Sequence, residues 1–279
     1  MFPSGEVIGD VAIRERVAGC ASRGLYAGSR SRDGAAGPDA QYWITLALDA
    51  ELDDERSPHV ARERWRGATF VRNPTASGWL YHEGQRFAAL VEVRPSGVTS
   101  DRVDGRLDGA AKSLCRVFTS DSLFLPPLGG IRPETIFVAR AAECRPPRFI
   151  VDPDALCLTG LAPFSVGFSA LARSLDRPVP PLFPLLHLAP ERLAGAPATR
   201  ESDVWELAFT LQRWFSPGSP YESDQLSVQI DQVMRGRRRA LTGRYAGLDE
   251  IVAAALAPTP GDRPRPVDLQ QAVQATLPP

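Results

Sequence analysis

The sequence predicts an α+β fold in two lobes. A small antiparallel sheet with one helix occupies residues 1–95, and a larger, mainly helical lobe occupies 96–279, together forming one bilobal domain. Three observations predict it. Short strand-like runs broken by Gly, Pro and Ser fill the stretch from Val11 to Arg94. Helical periodicity takes over after Pro95, and no internal repeat subdivides the chain. With 279 residues and 43% hydrophobic content, the chain can bury a full core.

VAIRERV alternates at Val11, Ile13 and Val17, as a half-buried strand does. GLYAGSR and YWITLAL read as the next two strands, separated by a turn-rich stretch from Ser31 to Pro38. In DDERSPHVARERWRGATFV, Val60, Arg64 and Ala68 repeat at helical spacing among many charges, which predicts one exposed helix. GWLYHEG and RFAALVEV complete the sheet. Beyond Pro95, Leu107, Ala111, Leu114, Cys115 and Phe118 form a 3.6-period stripe facing a core. Strand-like sequence follows at Ile131 to Val138 and Arg148 to Val151. The connection from Asp152 to Glu191 is proline-rich between Pro178 and Pro184 and reads as irregular surface chain. Further helices are expected at Asp203 to Phe215, Ser223 to Met234, Leu248 to Leu256 and Val267 to Thr276.

A formal charge of -1 gives no broad attraction to nucleic acid or to anionic membranes, so neither is expected as a partner. Cys20, Cys115, Cys144 and Cys157 form no Cys-x-x-Cys pair and have no nearby histidine, so they read as reduced, buried thiols rather than metal ligands or disulfides. The opening MFPSGEVIGD lacks a basic start and an apolar core, and no run approaches the roughly 18 apolar residues that span a bilayer. A cytoplasmic protein is expected.

Three short motifs carry a family resemblance. Ala189-Pro190-Glu191, Asp203-Val204-Trp205 and Arg263-Pro264 occur in the order and spacing of the lower-lobe scaffold of a protein kinase. Over nearly all its length the chain resembles a bacterial serine/threonine protein kinase domain, more closely in its second half. The resemblance implies a buried ion pair between Glu191 and Arg263. It also implies a central helix opening at Asp203, behind the cap-like Ser202, with the Asp203 carboxylate accepting backbone N–H groups; a simple helix start is the alternative. These roles are structural and do not argue for catalysis.

The resemblance also shows what phosphoryl transfer would need. The glycine-rich loop aligns with residues 17–26, where its glycine positions fall on Ala18, Cys20 and Arg23. Thr45 stands where the third-strand lysine belongs, and the chain's one lysine is Lys112. Glu63 is the candidate for the helix glutamate, or a residue of a solvated face. LGGIRPETIFV, residues 128–138, resembles the catalytic loop, with Gly130 at the aspartate, Arg132 at the lysine and Thr135 at the metal-binding asparagine. Glycine can accept no proton from a substrate hydroxyl. Asp152 aligns with the metal-binding aspartate and reads equally as a turn residue before Pro153; Asp154 could add one oxygen.

A catalytically inactive pseudokinase is the expectation: a regulatory or protein-binding module with no catalytic residue, no cofactor and no metal. Arg23, Thr45, Glu63 and Asp152 would line a vestigial nucleotide cleft. The alternative is an unconventional nucleotide-binding phosphotransferase using Arg23 and Asp152, since arginine suits phosphate through its fork of donors. A protein partner is expected near Tyr221 to Arg239 and Pro178 to Pro184. The run Arg235, Arg237, Arg238 and Arg239 reads either as an acidic-partner patch or as solvated surface.

Overall fold

The computed structural model describes residues 5–8, 10–19, 23–30, 42–48, 76–93, 98–99, 107–121, 127, 131, 133, 136–138, 157–158, 187–194, 196, 198–216, 218–223 and 225–278. These fall into two compact units, one within Met1–Pro95 and the other drawn from 96–158 and 185–279. The expected helix over 53–71, with Glu63, lies outside the described residues.

The first unit is a six-stranded antiparallel sheet. Its strands are β1 (Val7–Ile8), β2 (Val11–Gly19), β3 (Arg23–Arg30), β4 (Tyr42–Leu48), β5 (Ala76–His82) and β6 (Gln85–Val93), in the spatial order β1-β2-β3-β4-β6-β5. Alternation explains why these segments form strands. Val11, Ile13, Tyr42, Ile44, Leu46, Phe87, Ala89 and Val91 turn to one side and bury together with Ile8 and Tyr26. Two register shifts interrupt β2, between Ile13 and Glu15 and between Arg16 and Ala18. Bulges of this kind increase local twist and bend a strand. The two outer strands, β1 and β5, meet: Ile8 packs toward Gly78, and His82 Nδ1 lies 3.8 Å from Glu6 Oε1.

Gly28 on β3 is a packing requirement. A Cβ there would lie 2.7 Å from Ile44 Cδ1, 2.8 Å from Val11 Cγ1 and 3.1 Å from the Ala12 carbonyl oxygen. Overpacking of this kind costs about 1–3 kcal/mol. Gly28→Ala is therefore expected to lower the urea unfolding midpoint measurably, whereas Gly109→Ala, at a glycine with open space around it, should not.

The second unit is mainly helical. Its strands β7 (Val98–Thr99), β8 (Ile136–Val138) and β9 (Cys157–Leu158) form a small antiparallel sheet. Its helices are α1 (Asp108–Asp121), α2 (Pro190–Leu193), α3 (Arg200–Phe215), α4 (Leu226–Met234), α5 (Asp249–Ala255) and α6 (Pro266–Thr276), with 3-10 turns at Gly243–Leu248 and Pro260–Asp262. Twelve of the sixteen residues of α3 are buried, so it runs through the core rather than over it. Helix α1, with Leu107 just before it, buries Ala111, Leu114, Cys115 and Phe118 and packs on α6, where the Thr119 hydroxyl lies 3.3 Å from the Pro266 carbonyl. Arg244 pairs with Asp108 at the start of α1 and stacks over Tyr245, whose ring stacks on Phe215.

Helix α3 begins at Arg200, three residues before the expected start. Its N-cap is Thr199, not Ser202: the Thr199 hydroxyl accepts the Ser202 N–H at 3.2 Å, and Ser202 Oγ accepts the Thr199 N–H at 2.9 Å. This reciprocal pair is a capping box with serine in the place usually held by Glu or Gln. Helix α4 likewise begins at Leu226 rather than Ser223.

Candidate functional site

Ile131 and Ile136 are completely buried and Pro133 is buried, which anchors the loop around the catalytic-loop motif. Gly130, Arg132 and Thr135 lie outside the described residues. The Ile131 N–H donates to Glu206 Oε2 at 2.8 Å, from one residue beyond position 130. Glu206 sits on α3 with no solvent exposure, so it supports the loop and cannot meet a substrate from solvent. The sequence reading missed this residue. Its available signal was a carboxylate between Trp205 and Leu207 on a helix buried on all sides, which needs a donor inside the core.

Asp203, 2% exposed, lies in the first turn of α3, where the positive end of the helix dipole stabilises a carboxylate. Earlier in the chain, Ala189, Pro190 and Glu191 open α2, with proline at its first position. The structure brings Glu191 and Arg263 together. Arg263 Nη1 donates to Glu191 Oε1 at 2.6 Å and Nη2 to Oε2 at 2.7 Å, a bidentate pair. The remaining donors go to carbonyls: Nε to Ala257 at 2.9 Å, Nη1 to Glu201 at 2.9 Å and Nη2 to Pro258 at 3.2 Å. All five guanidinium N–H groups are thereby satisfied on a side chain with no exposure. The guanidinium also lies 5.2 Å from the centre of the Trp205 ring, so the three sequence motifs converge on one arginine.

In the first unit only backbone placement bears on the site. Thr45 sits mid-strand in β4, opposite Leu25 on one side and Leu90 on the other. Arg23 opens β3 opposite Ala47, so positions 23 and 45 share one face of the sheet. Glu63 and Asp152 lie outside the described residues. Lys112 is on α1, half-buried. No group of three or more His, Cys, Asp and Glu suited to a metal occurs among the described residues. Cys115 is buried and unpaired, and burial pushes its thiol up to about 12, which keeps it protonated and unreactive.

Two expectations about the partner surface are corrected. Tyr221 is not an exposed aromatic: it is 4% exposed and stacks on Phe209 at 6.0 Å, and burial raises its phenol above the usual range. Arg238 does not belong to a surface patch. Its side chain, 9% exposed, donates to Asp249 Oδ1 at 2.7 Å, to the Asp249 carbonyl at 2.8 Å and to Gln212 Oε1 at 2.9 Å. The segment Pro178 to Pro184 lies outside the described residues.

Burial works to raise the Asp249 carboxyl, but the Arg238 hydrogen bond, the Leu241 N–H and the Arg238 charge outweigh it and hold the group below the usual carboxylate range. A lowered folded-state value stabilises the fold above the ordinary range, and that contribution is lost as pH falls through the folded value. Asp249→Asn is therefore expected to lower Tm at neutral pH. The gap from the unsubstituted protein should narrow as the pH is taken below about 4.

No protein-family model matches the chain. Over 82 residues it is 32% identical to the serine/threonine-protein kinase PknE of Mycobacterium tuberculosis, and equally to PknE of Mycobacterium bovis; the match covers 28% of this chain and 14% of PknE. The kinase domain of Mycobacterium tuberculosis PknI superposes with a TM-score of 0.57 at 17% identity, covering 99% of this chain and 100% of that one. Rad53 residues 1–466, solved with AMP-PNP, superposes at 0.61 with 11% identity, covering 94% of this chain and 64% of that one. The strand order of the first unit, the buried α3 and the Glu191–Arg263 pair thus sit in a chain whose fold is that of a bilobal protein kinase-like domain.

Proposed function

We propose that this chain is a kinase-like domain without phosphoryl-transfer activity, acting as a regulatory, protein-binding module. The observation that carries the reading is the placement of the one lysine. Lys112 lies on α1, while the middle of β4, where a lysine would anchor phosphate, is occupied by Thr45 in a register set by pairing on both sides. Gly130 at the aspartate position and Thr135 at the asparagine position remove the proton acceptor and one metal ligand as well. The relatives are named as kinases, and this reading departs from that name on the strength of these residues. It places the domain in the cytoplasm with a protein as partner; among the described residues no helix is long and apolar enough to cross a membrane.

Purified protein incubated with magnesium and γ-labelled ATP is expected to transfer no label to itself or to casein. Transfer that Asp152→Ala abolishes would overturn the reading.

The register favours one second reading. Because positions 23 and 45 share a face, the Arg23 guanidinium could stand in for the missing lysine, with Asp152 supplying a carboxylate, in an unconventional nucleotide-binding phosphotransferase. A ligand at 100 times its Kd adds about 2.7 kcal/mol to native stability. An unchanged Tm at millimolar ATP with magnesium or manganese would therefore exclude it.

A further inference from the structure

We propose that the strap Arg235–Arg239 is a docking surface for an acidic, extended segment of a partner protein. This inference rests on the protein-binding reading above and names the chemistry of the partner. The strap follows α4 and is fixed at every residue. Gly236 adopts φ 63° beyond the helix end, its N–H bonding the Val233 carbonyl at 3.1 Å, and the Arg237 N–H bonds the Gln232 carbonyl at 2.8 Å. These two bonds form a Schellman closure. A Cβ on Gly236 would lie 2.8 Å from Pro258 Cδ, so both the backbone sign and the space require glycine. Next, Arg238 turns inward to Asp249 and Gln212, and the Arg239 N–H donates to the Pro220 carbonyl at 2.8 Å.

The inward turn of Arg238 leaves its neighbours facing out. Arg237 and Arg239 are exposed, and among the described residues neither guanidinium holds an ion pair or hydrogen bond. Two neighbouring carboxylates are already engaged: Asp231 with Arg235 at 2.8 Å and Asp249 with Arg238 at 2.7 Å. Two guanidiniums without an ion pair thus stand two residues apart, at most about 7 Å along the backbone. That spacing matches alternate carboxylates on an extended chain. Met234, 45% exposed, is the last residue of α4, just before the strap, and offers adaptable apolar contact. The backbone is held before any partner arrives, so ordering it costs the complex little. A net charge of -1 over the whole chain disfavours nucleic acid as the occupant, because polyanion binding needs a field from many cations.

The test uses the full chain and fluorescence anisotropy of a labelled peptide of about twelve residues, alternating Glu and Ser with one Leu. A Glu-to-Gln version and a thymidine oligonucleotide of equal charge are run beside it. Saturable binding of the Glu peptide alone is expected, weakening as salt rises. The paired substitutions Arg237→Ala and Arg239→Ala should weaken it by about five-fold, because exposed charge contacts each contribute modestly. Arg14→Gln, on the other unit, should leave it unchanged, and the melting curve should be unaffected by the Arg237 and Arg239 substitutions. No saturation by millimolar peptide, equal loss in Arg14→Gln, or equally tight oligonucleotide binding through the same arginines would each overturn the proposal. Label transfer from ATP would sink the inactive-module reading and leave the strap standing. Failed peptide binding in a protein that transfers no phosphate sinks the strap alone.

Discussion

Replacing Arg263 with alanine is expected to destabilise the second unit by about 3–5 kcal/mol, the range for breaking a buried ion pair from one side. The structural reason is the number of groups abandoned at once. Glu191 loses both oxygens' partners, the carbonyls of Ala257, Pro258 and Glu201 lose their donor, and Trp205 loses the cation over its ring. Arg263→Lys should recover little, because an ammonium offers three donors from a single point and cannot reproduce a fork that reaches α2, the turn at Ala257–Pro258 and α3 together. Glu191→Gln should cost less than the arginine change, since an amide oxygen still accepts one bond and the four other arginine contacts persist. Denaturant unfolding followed by tryptophan fluorescence reads this order, and Trp205 reports on the site directly. Equal loss in Arg263→Ala and Arg263→Lys, both above about 3 kcal/mol, fits the fork geometry; near-wild-type stability of Arg263→Lys contradicts it.

Glu206→Ala is the second large effect. It strands the buried Ile131 N–H, and an unsatisfied buried donor costs about 1–3 kcal/mol, with the emptied volume adding to this. Glu206→Gln can still accept from Ile131 and should recover most of the loss. The two variants separate a positioning role from bulk packing through hydrogen exchange at Ile131, which should accelerate in Glu206→Ala and stay slow in Glu206→Gln. Fast exchange in both would show that the acceptor's charge, not its presence, holds the loop.

Much of the sheet was legible because alternation is a local signal. β2, β4 and β6 carry the apolar pattern of Val11, Ile13, Tyr42, Ile44, Leu46, Phe87, Ala89 and Val91, and β3 and β5 pair between or beside them. β1 was not legible, because two residues make no pattern. The start of α3 was misread because its capping box uses serine rather than Glu or Gln at the third position, a weak sequence cue. Tyr221 and Arg238 were misread for a common reason. Each sits in a stretch without helical or strand period, so nothing local shows which way its side chain turns, and only the partners Phe209 and Asp249 decide it. At the site, Glu191 and Arg263 stand 72 residues apart, and no local physics connects them. The resemblance supplied that pairing. Glu206 had no counterpart in the resemblance, and its role emerged from burial and one hydrogen bond.

The meeting of β1 with β5 bears on how this protein behaves in company. An open sheet offers two rows of unpaired N–H and C=O groups, and such rows template the addition of strands from other chains. Here the two residues of β1 pair with Val11 and Ala12 at the start of β2 and lie near β5, so the first positions of one edge strand are occupied by the chain itself. Those first positions of β2 are thereby closed to an incoming strand.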